Sequence, residues 1–182
     1  MSSQREIRLS GFGGQGLITA GIILADAAIK EGKHAVQTQS YGPEARGGAS
    51  RAEVIISDAA IDYPKVKEPD VLLAMSKEAC DKYLCELQKD GILIVDSYYV
   101  KEVPETEAKV FSLPITELAR EELGRVIVAN IVALGATVQV TGVVGKEALE
   151  AAVLDRVPPG TEDLNRQALA IGFQLGCEQL AK

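Results

Sequence analysis

The chain has 182 residues, a formal net charge of −7, and a composition that is 47% hydrophobic, 25% charged and 4% aromatic. These fractions are typical of a globular protein and exclude whole-chain disorder, and the length suits a single domain over residues 1–182. The one His excludes chemistry that needs two, and the acid excess and scarce aromatic rings argue against nucleic acid as a partner.

The compartment expected from the sequence is the cytoplasm. The N-terminal residues pass directly into an apolar strand without a basic segment or an apolar leader, and the three cysteines cannot all pair within one chain. The stretch from Val126 to Gly145 carries no charge, but Asn130, Thr137 and several glycines dilute its hydrophobicity. A buried helix is therefore favoured over a membrane-spanning one.

Strand and helix patterns alternate along the chain. The predicted strands cover residues 7–10, 35–40, 52–57, 71–74, 92–95 and 109–113. The predicted helices cover residues 17–31, 76–87, 127–139 and 146–154, together with helices capped by Thr116 and Thr161. This alternation predicts an α/β fold with a three-layer, Rossmann-like sheet that is mostly parallel and has helices on both faces.

A first glycine loop, Gly11-Phe12-Gly13-Gly14-Gln15-Gly16, joins the first strand to the first helix. Its spacing matches G-x-G-x-x-G, in which the glycines let the backbone approach a phosphate bound by the helix N-terminus. A dinucleotide-binding loop also needs an acidic residue near the end of the second strand, where this chain ends in Ser40 without one. Another phosphate or anion is therefore favoured over NAD, and a purely structural turn remains the alternative.

A second loop, Ser40-Tyr41-Gly42-Pro43-Glu44-Ala45-Arg46-Gly47-Gly48, follows the second strand. Arg46 can bind a phosphate or carboxylate through its guanidinium, the two final glycines can expose backbone donors, and Tyr41 can stack on a partner. The alternative is an internal pair between Glu44 and Arg46 that only shapes the loop. A functional loop or a partner interface is favoured, because loops on rigid scaffolds often carry function.

Taken together and in this order, the two loops resemble the gamma subunit of 2-oxoacid:ferredoxin oxidoreductases, the family of the pyruvate, 2-oxoglutarate, branched-chain and indolepyruvate enzymes. The resemblance extends to Val54–Ser57, the Ile61–Pro64 segment and the helix with Asn130 and Gly135, and so covers nearly the whole chain. It implies one subunit of an enzyme that decarboxylates a 2-oxoacid with coenzyme A to acyl-CoA, CO2 and reduced ferredoxin. The alternatives are a stand-alone nucleotide- or flavin-binding Rossmann-like protein and the beta subunit of an indolepyruvate:ferredoxin oxidoreductase.

The resemblance also sets expectations for cofactors and partners. Thiamine diphosphate, [4Fe-4S] clusters and coenzyme A serve the assembled enzyme, and none of them is held by this chain alone. The implied partners are the alpha, beta and ferredoxin-like delta subunits, with a homodimer possible for the isolated chain, and neither nucleic acid nor a membrane is expected. The isolated chain is expected to be inactive.

The resemblance leads us to expect that the two loops face the thiamine and coenzyme A region at a subunit interface. There they would lie near an anion such as the coenzyme A diphosphate. The candidate binding residues are Gly11, Gly13, Gly14, Gln15, Gly16, Ser40, Tyr41, Gly42, Glu44, Arg46, Gly47 and Gly48. No catalytic residue is assigned, because the cofactors supply the chemistry.

No metal ligand is assigned either. Cys80, Cys85 and Cys177 do not form a four-thiolate motif and are expected to be buried small hydrophobic residues. His34 is expected to be an exposed turn residue. The segment Asp96–Tyr99 follows another strand and either lines the same crevice as the loops or serves as a cap through Asp96.

Overall fold

The computed structural model describes residues 4–40 and 49–182 and contains a six-stranded mixed sheet over those residues. The strands are β1 Gln4–Phe12, β2 His34–Ser40, β3 Ala49–Ser57, β4 Val71–Ala74, β5 Ile92–Asp96 and β6 Lys109–Leu113. Their order across the sheet is β2-β3-β1-β4-β5-β6, and only β3 runs antiparallel to its neighbours. The predicted mostly parallel sheet is confirmed, and all strands other than β3 end at the same edge.

The helices cover both faces of the sheet, as predicted. They are α1 Leu17–Lys30, α2 Lys77–Tyr83, α3 Ile115–Glu121, α4 Ala129–Thr141, α5 Lys146–Leu154 and α6 Glu162–Leu180, with short 3-10 turns at Leu84–Glu86 and Val126–Val128. Neighbouring residues of β4 show the two faces, because side chains alternate along a strand. Leu73 packs in the core with α1 and α4, whereas Leu72 packs in a separate core with Ala79 and Cys80 of α2.

The charge-free stretch becomes α4, a helix that is buried on all sides. Residues 129–138 are all buried, because the sheet lies on one side of α4 and α6 packs against it on another. The two helix backbones approach closely at Gly135 and Gly172, where a Cβ on Gly172 would lie 2.2 Å from the Val132 carbonyl oxygen. Within the described residues, no helix is long and apolar enough to cross a membrane.

Several predicted boundaries shift because partners distant in sequence decide them. β1 continues to Phe12 and β3 already begins at Ala49, since these two residues are paired across the sheet. The predicted helix 76–87 is shorter and ends as α2 at Tyr83. The cap at its start is confirmed, because the Ser76 hydroxyl accepts a hydrogen bond from Ala79 N–H at 3.2 Å.

The other two predicted capping residues behave differently. Thr116 lies inside α3, which begins one residue earlier and has Pro114 at its N-cap. Thr161 does occupy the N-cap of α6, but its hydroxyl donates to the Pro158 carbonyl at 2.7 Å and accepts from the Asn165 side-chain amide at 3.2 Å, not from a backbone N–H of the helix. In both cases the hydroxyl group has a different partner from the one that local sequence predicts.

The cysteine prediction is correct for one residue and wrong for two. Cys80 is buried against the sheet, and burial raises the pKa of its thiol above the ordinary value. Cys85 and Cys177 are exposed, because Cys85 follows the end of α2 in a 3-10 turn and Cys177 lies near the C-terminal end of α6. His34 is exposed at the start of β2, close to its predicted position in a turn.

Candidate functional site

The candidate site lies at the edge of the sheet where β1, β4 and β5 end. A cavity of about 200 Å³ opens there, lined by Phe12, Gly14, Gln15, Met75, Tyr99, Thr116, Val126, Ile127 and Ala129. The first glycine loop and the segment after β5 therefore share one cavity. This is the edge at which open α/β sheets bind their ligands.

The side chain of Gln15 ties the first glycine loop to the ends of two strands. Its Oε1 accepts a hydrogen bond from Phe12 N–H at the end of β1, and its Nε2 donates to the Met75 carbonyl just after β4, both at 2.9 Å. Gln15 was predicted from the sequence as a binding residue. In this structure its amide forms hydrogen bonds inside the protein that position the loop, and its role in binding a ligand stays a prediction.

Two of the loop glycines are required by close packing. A Cβ on Gly11 would lie 2.1 Å from Gln15 Oε1 and 3.1 Å from Met75 Cβ, so no side chain fits there without moving Gln15. Gly16 has a φ of 75°, and a Cβ there would lie 2.6 Å from Asn130 Nδ2. That same Asn130 amide donates to the Gly16 carbonyl at 3.1 Å and so links α4 to the start of α1.

The other two loop glycines are open to the outside. Gly13 and Gly14 are exposed, and a Cβ on either would meet nothing within 4 Å. Gly16 is the N-cap residue of α1, so no side chain caps the helix there, and the first turn of α1 contains no acidic residue. The N-terminal amides and the positive end of the α1 dipole thus lie beside a stretch of bare backbone, an arrangement that favours an anion.

Asp96, at the end of β5, acts as a cap. Its side chain is fully buried and accepts hydrogen bonds from Tyr98 N–H at 3.1 Å, from Thr116 N–H at 3.3 Å and from the Thr116 hydroxyl. Burial raises the pKa of the Asp96 carboxyl above its ordinary value, although these hydrogen bonds favour the charged form. Asp96 therefore joins the turn after β5 to the start of α3.

Tyr99, held by that turn, forms the aromatic wall of the cavity. Its ring makes edge-to-face contacts with Phe12 at 5.2 Å and with Tyr98 at 4.8 Å between centroids. Arg120 lies over the Tyr98 ring at 4.6 Å and donates to its hydroxyl at 2.9 Å. The sequence left two roles open for the Asp96–Tyr99 segment, a cap or a wall of the crevice. The structure shows both, because Asp96 is a cap and Tyr99 lines the crevice.

Ser40, where the second loop begins, and Ala49, the residue after that loop, lie at the ends of two neighbouring strands. Ser40 is half-buried at the end of β2, opposite Arg51 of β3. Ala49, where the chain enters β3, pairs with Phe12, and its carbonyl accepts a hydrogen bond from the Tyr83 hydroxyl at 3.4 Å. The remaining predicted site residues of this loop lie outside the described residues: Tyr41, Gly42, Glu44, Arg46, Gly47 and Gly48.

Several residues of the site were not predicted from the sequence, and three of them show why. Met75 supplies the carbonyl that anchors Gln15, Asn130 holds Gly16, and Ile127 lines the cavity although 77% of its surface is exposed. A signal existed for Asn130, the amide side chain in the uncharged stretch that packs against the first glycine loop. No local pattern marks Met75 or Ile127.

The described part of the cavity is suited to binding. Tyr99 is the one titratable side chain among the described residues that line it. Within residues 4–40 and 49–182, no group of three or more His, Cys, Asp or Glu side chains is placed to hold a metal ion. The geometry supports an anion held by backbone amides next to an apolar and aromatic wall.

Comparison with known proteins agrees with this description. Residues 6–175 match the family described as pyruvate ferredoxin/flavodoxin oxidoreductase. The chain is 51% identical over 178 residues to the 2-oxoglutarate synthase subunit KorC of Methanocaldococcus jannaschii, covering 96% of this chain and 95% of the relative.

Two solved structures share the fold. The gamma subunit of a keto/oxoacid ferredoxin oxidoreductase from Geobacter sulfurreducens PCA is 54% identical with a TM-score of 0.88, covering 96% of this chain and 99% of that chain. The second is a 2-oxoglutarate:ferredoxin oxidoreductase from Magnetococcus marinus, solved with 2-oxoglutarate, coenzyme A and succinyl-CoA bound. It has a TM-score of 0.85 and 22% identity over 96% of this chain, which spans 31% of that longer chain.

The chain belongs to the pyruvate ferredoxin/flavodoxin oxidoreductase family. Within it, the predicted gamma subunit of a 2-oxoacid:ferredoxin oxidoreductase is confirmed over a stand-alone nucleotide- or flavin-binding protein and over an indolepyruvate enzyme's beta subunit. The chain is thus one subunit of an oxidoreductase complex.

Proposed function

We propose that this subunit uses its glycine-loop edge to hold an anionic part of coenzyme A, the diphosphate, at an interface with another subunit. The observation that carries the proposal is the bare backbone of Gly13 and Gly14 beside the uncapped N-terminus of α1. Backbone amides in this arrangement bind phosphate oxygens without any side chain. The apolar wall of Phe12 and Tyr99 suits the less polar part of the same ligand.

The substrate we propose for the assembled enzyme is 2-oxoglutarate. The first support is the identity of 51–52%, over nearly the full length, to KorC subunits of 2-oxoglutarate synthases. The second is that the Magnetococcus marinus enzyme of the same fold was solved with 2-oxoglutarate, coenzyme A and succinyl-CoA bound. Thiamine diphosphate and [4Fe-4S] clusters would be held by the other subunits, and they would supply the decarboxylation and electron transfer. This chain would bind and orient, because its described residues bring no cluster ligands together.

The partners we propose are an alpha, a beta and a ferredoxin-like delta subunit, and the chain would form one domain over residues 1–182. The three free thiols suit a reducing cytoplasm. The isolated chain, whether monomer or homodimer, is expected to lack oxidoreductase activity and bound nucleotide. Absorbance and native mass spectrometry of the purified chain test the second point, and a bound flavin or NAD would contradict it.

The main test concerns Arg46, the guanidinium that the sequence places in the second loop. We expect Arg46→Ala in the reconstituted complex to raise the KM for coenzyme A about tenfold, equivalent to about 1.4 kcal/mol, without changing subunit assembly. Lys65→Ala removes an exposed cation elsewhere and serves as the matched control. If the KM for coenzyme A and the assembly both remain at wild-type values, the role proposed for Arg46 is wrong.

The second test addresses the backbone of the first loop. Gly13→Ala adds one methyl group at an open position and is expected to leave the free energy of unfolding within about 0.5 kcal/mol of wild type. The same methyl group would stand where the diphosphate approaches, so the KM for coenzyme A should rise several-fold. An unchanged KM would show that the loop is only a structural turn.

A further inference from the structure

A second cavity, of about 300 Å³, lies next to the 3-10 turn that precedes α4. Its apolar lining comes from Ile23 of α1, Ile131 of α4, Val157, and Leu164 of α6. Ile127 lines both this cavity and the one beside the glycine loop. The second cavity is thus adjacent to the candidate site, shares Ile127 with it and is otherwise lined by different residues.

The charge around the second cavity is positive, although the whole chain carries −7. Arg125 and Arg156 line it, and its lining contains no acidic side chain. Arg156 is paired with Asp26 at 2.6 Å, whereas the guanidinium of Arg125 is exposed and has no hydrogen-bond or ion-pair partner within the described parts of the chain.

The helix ends add to this positive charge. Residues from the first turns of α1, α4 and α6 line the cavity, and the N-terminal end of a helix carries partial positive charge. The two acidic residues in the first turn of α6 are bonded elsewhere, Glu162 to Gly160 N–H and Asp163 to Arg166. The surface therefore favours a carboxylate beside an apolar group.

The turn beside this cavity exposes apolar surface. Ile127 is 77% exposed and Val126 is 43% exposed, next to the unpaired Arg125. A cavity of this size is at the lower limit for a small-molecule site but accommodates one large apolar side chain. A small ligand would also leave Ile127 uncovered, whereas a protein surface would cover the turn and fill the cavity together.

We propose that the Arg125–Val128 turn and the second cavity form a docking surface for another subunit of the same oxidoreductase. That subunit inserts an apolar side chain into the cavity and places a neighbouring carboxylate on Arg125. This inference rests on the chain being one subunit of a complex, and it extends the proposed function by assigning a surface and the chemistry of the segment that it receives.

The test uses the complete enzyme, co-expressed with an affinity tag on another subunit. Arg125→Glu and Ile127→Ser are compared with Lys65→Glu and Ile29→Ser, which change an exposed cation and a 58% exposed isoleucine elsewhere. Dissociation of this chain on dilution is followed by mass photometry. We expect each surface variant to weaken association at least tenfold and each control to remain within twofold of wild type.

Other results would overturn the proposal in recognisable ways. Wild-type association of both surface variants, or equal weakening by the controls, would show that this surface is not the interface. Weakening by Ile127→Ser alone would overturn the carboxylate on Arg125. A small organic acid retained by the isolated wild-type chain and lost from both variants would assign the cavity to a small ligand.

The proposed function and this docking surface fail differently. A complex that forms normally with both surface variants, while Arg46→Ala raises the KM for coenzyme A, refutes only the docking surface. Failure of the wild-type chain to associate with any other subunit refutes the partner assignment and the docking surface with it.

Discussion

Two of the strand ends that border the cavity, those of β1 and β5, are built in opposite ways. At the end of β1, residues 13–16 are mostly glycine, partly exposed, and held by the neutral amides of Gln15 and Asn130. At the end of β5, the turn is held by the buried carboxylate of Asp96 and presents the ring of Tyr99.

The difference separates the two tasks of a binding site. A loop that offers backbone amides to an anion must be free of bulky side chains and of negative charge, so neutral amides hold it from inside the protein. The aromatic wall at the end of β5 needs no free backbone amides. The Asp96 carboxylate can therefore accept the hydrogen bonds of the turn and of the first turn of α3. Substitutions at the two strand ends should therefore differ in their effects on stability and on ligand binding.

The largest effect is expected from Asp96→Ala. It leaves Tyr98 N–H and the N–H and hydroxyl of Thr116 without their shared acceptor in a buried place. We expect the free energy of unfolding to fall by about 2–4 kcal/mol, measured by urea denaturation. The control is Asp90→Ala at an exposed aspartate, which should change it by less than about 0.5 kcal/mol. Similar losses for the two variants would contradict the capping role.

A smaller loss is expected from Gln15→Ala, which removes two hydrogen bonds and leaves Phe12 N–H unpaired. The free energy of unfolding should fall by about 1–3 kcal/mol. Gln15→Glu keeps an acceptor for Phe12 but turns its second oxygen toward the Met75 carbonyl, so it should recover little of this loss. The same urea measurements on exposed Gln174→Ala provide the control.

Gln15→Ala also tests whether Gln15 positions the loop or only contacts the ligand. If Gln15 served only to contact the ligand, Gln15→Ala would raise the KM for coenzyme A and leave the urea midpoint unchanged. The hydrogen bonds within the loop predict that the urea midpoint falls as well.

The next effect, of about 1–3 kcal/mol from two ring pairs, is expected at Tyr99. Tyr99→Leu removes edge-to-face contacts with Phe12 and Tyr98, and each such pair contributes about 0.5–1.5 kcal/mol beyond its buried area. Tyr99→Phe keeps both ring contacts and should match the wild type in thermal unfolding. If Tyr99→Phe were as destabilising as Tyr99→Leu, the ring contacts would not be the cause.

Sequence patterns predicted the elements but not the contacts that end them. Residues 71–74, 109–113 and 146–154 form their predicted elements with the same boundaries, because a polar or turn residue marks at least one end of each: Asp70, Pro114 and Gly145. The Gly11–Phe12 step looked like a turn, yet pairing with β3 extends the strand through it. Thr116 looked like a cap, yet its partner Asp96 lies 20 residues earlier.

For the candidate site, the motif located the loop but did not assign its parts. G-x-G-x-x-G identified the helix start at Leu17 correctly and the strand end to within two residues, because those glycines have a local backbone requirement. Gly13 and Gly14 are open, whereas Gly11 and Gly16 are closely packed. This difference depends on Met75 and Asn130, which are distant in sequence from the loop. Such contacts follow from the way β4 and α4 pack on the loop, and no local spacing encodes them.

The smallest effect concerns pH and the buried carboxylate. The pKa of Asp96 is raised in the folded protein, so between the unfolded value of about 3.9 and the raised value the folded state binds more protons. Stability from this group is therefore greatest at low pH and is lost as pH rises through that window. Relative to Asp96→Asn, which does not titrate, the wild type should lose stability from about pH 4 upward in urea titrations at several pH values. An opposite slope would mean that the hydrogen bonds from Thr116 and Tyr98 outweigh burial and lower the pKa.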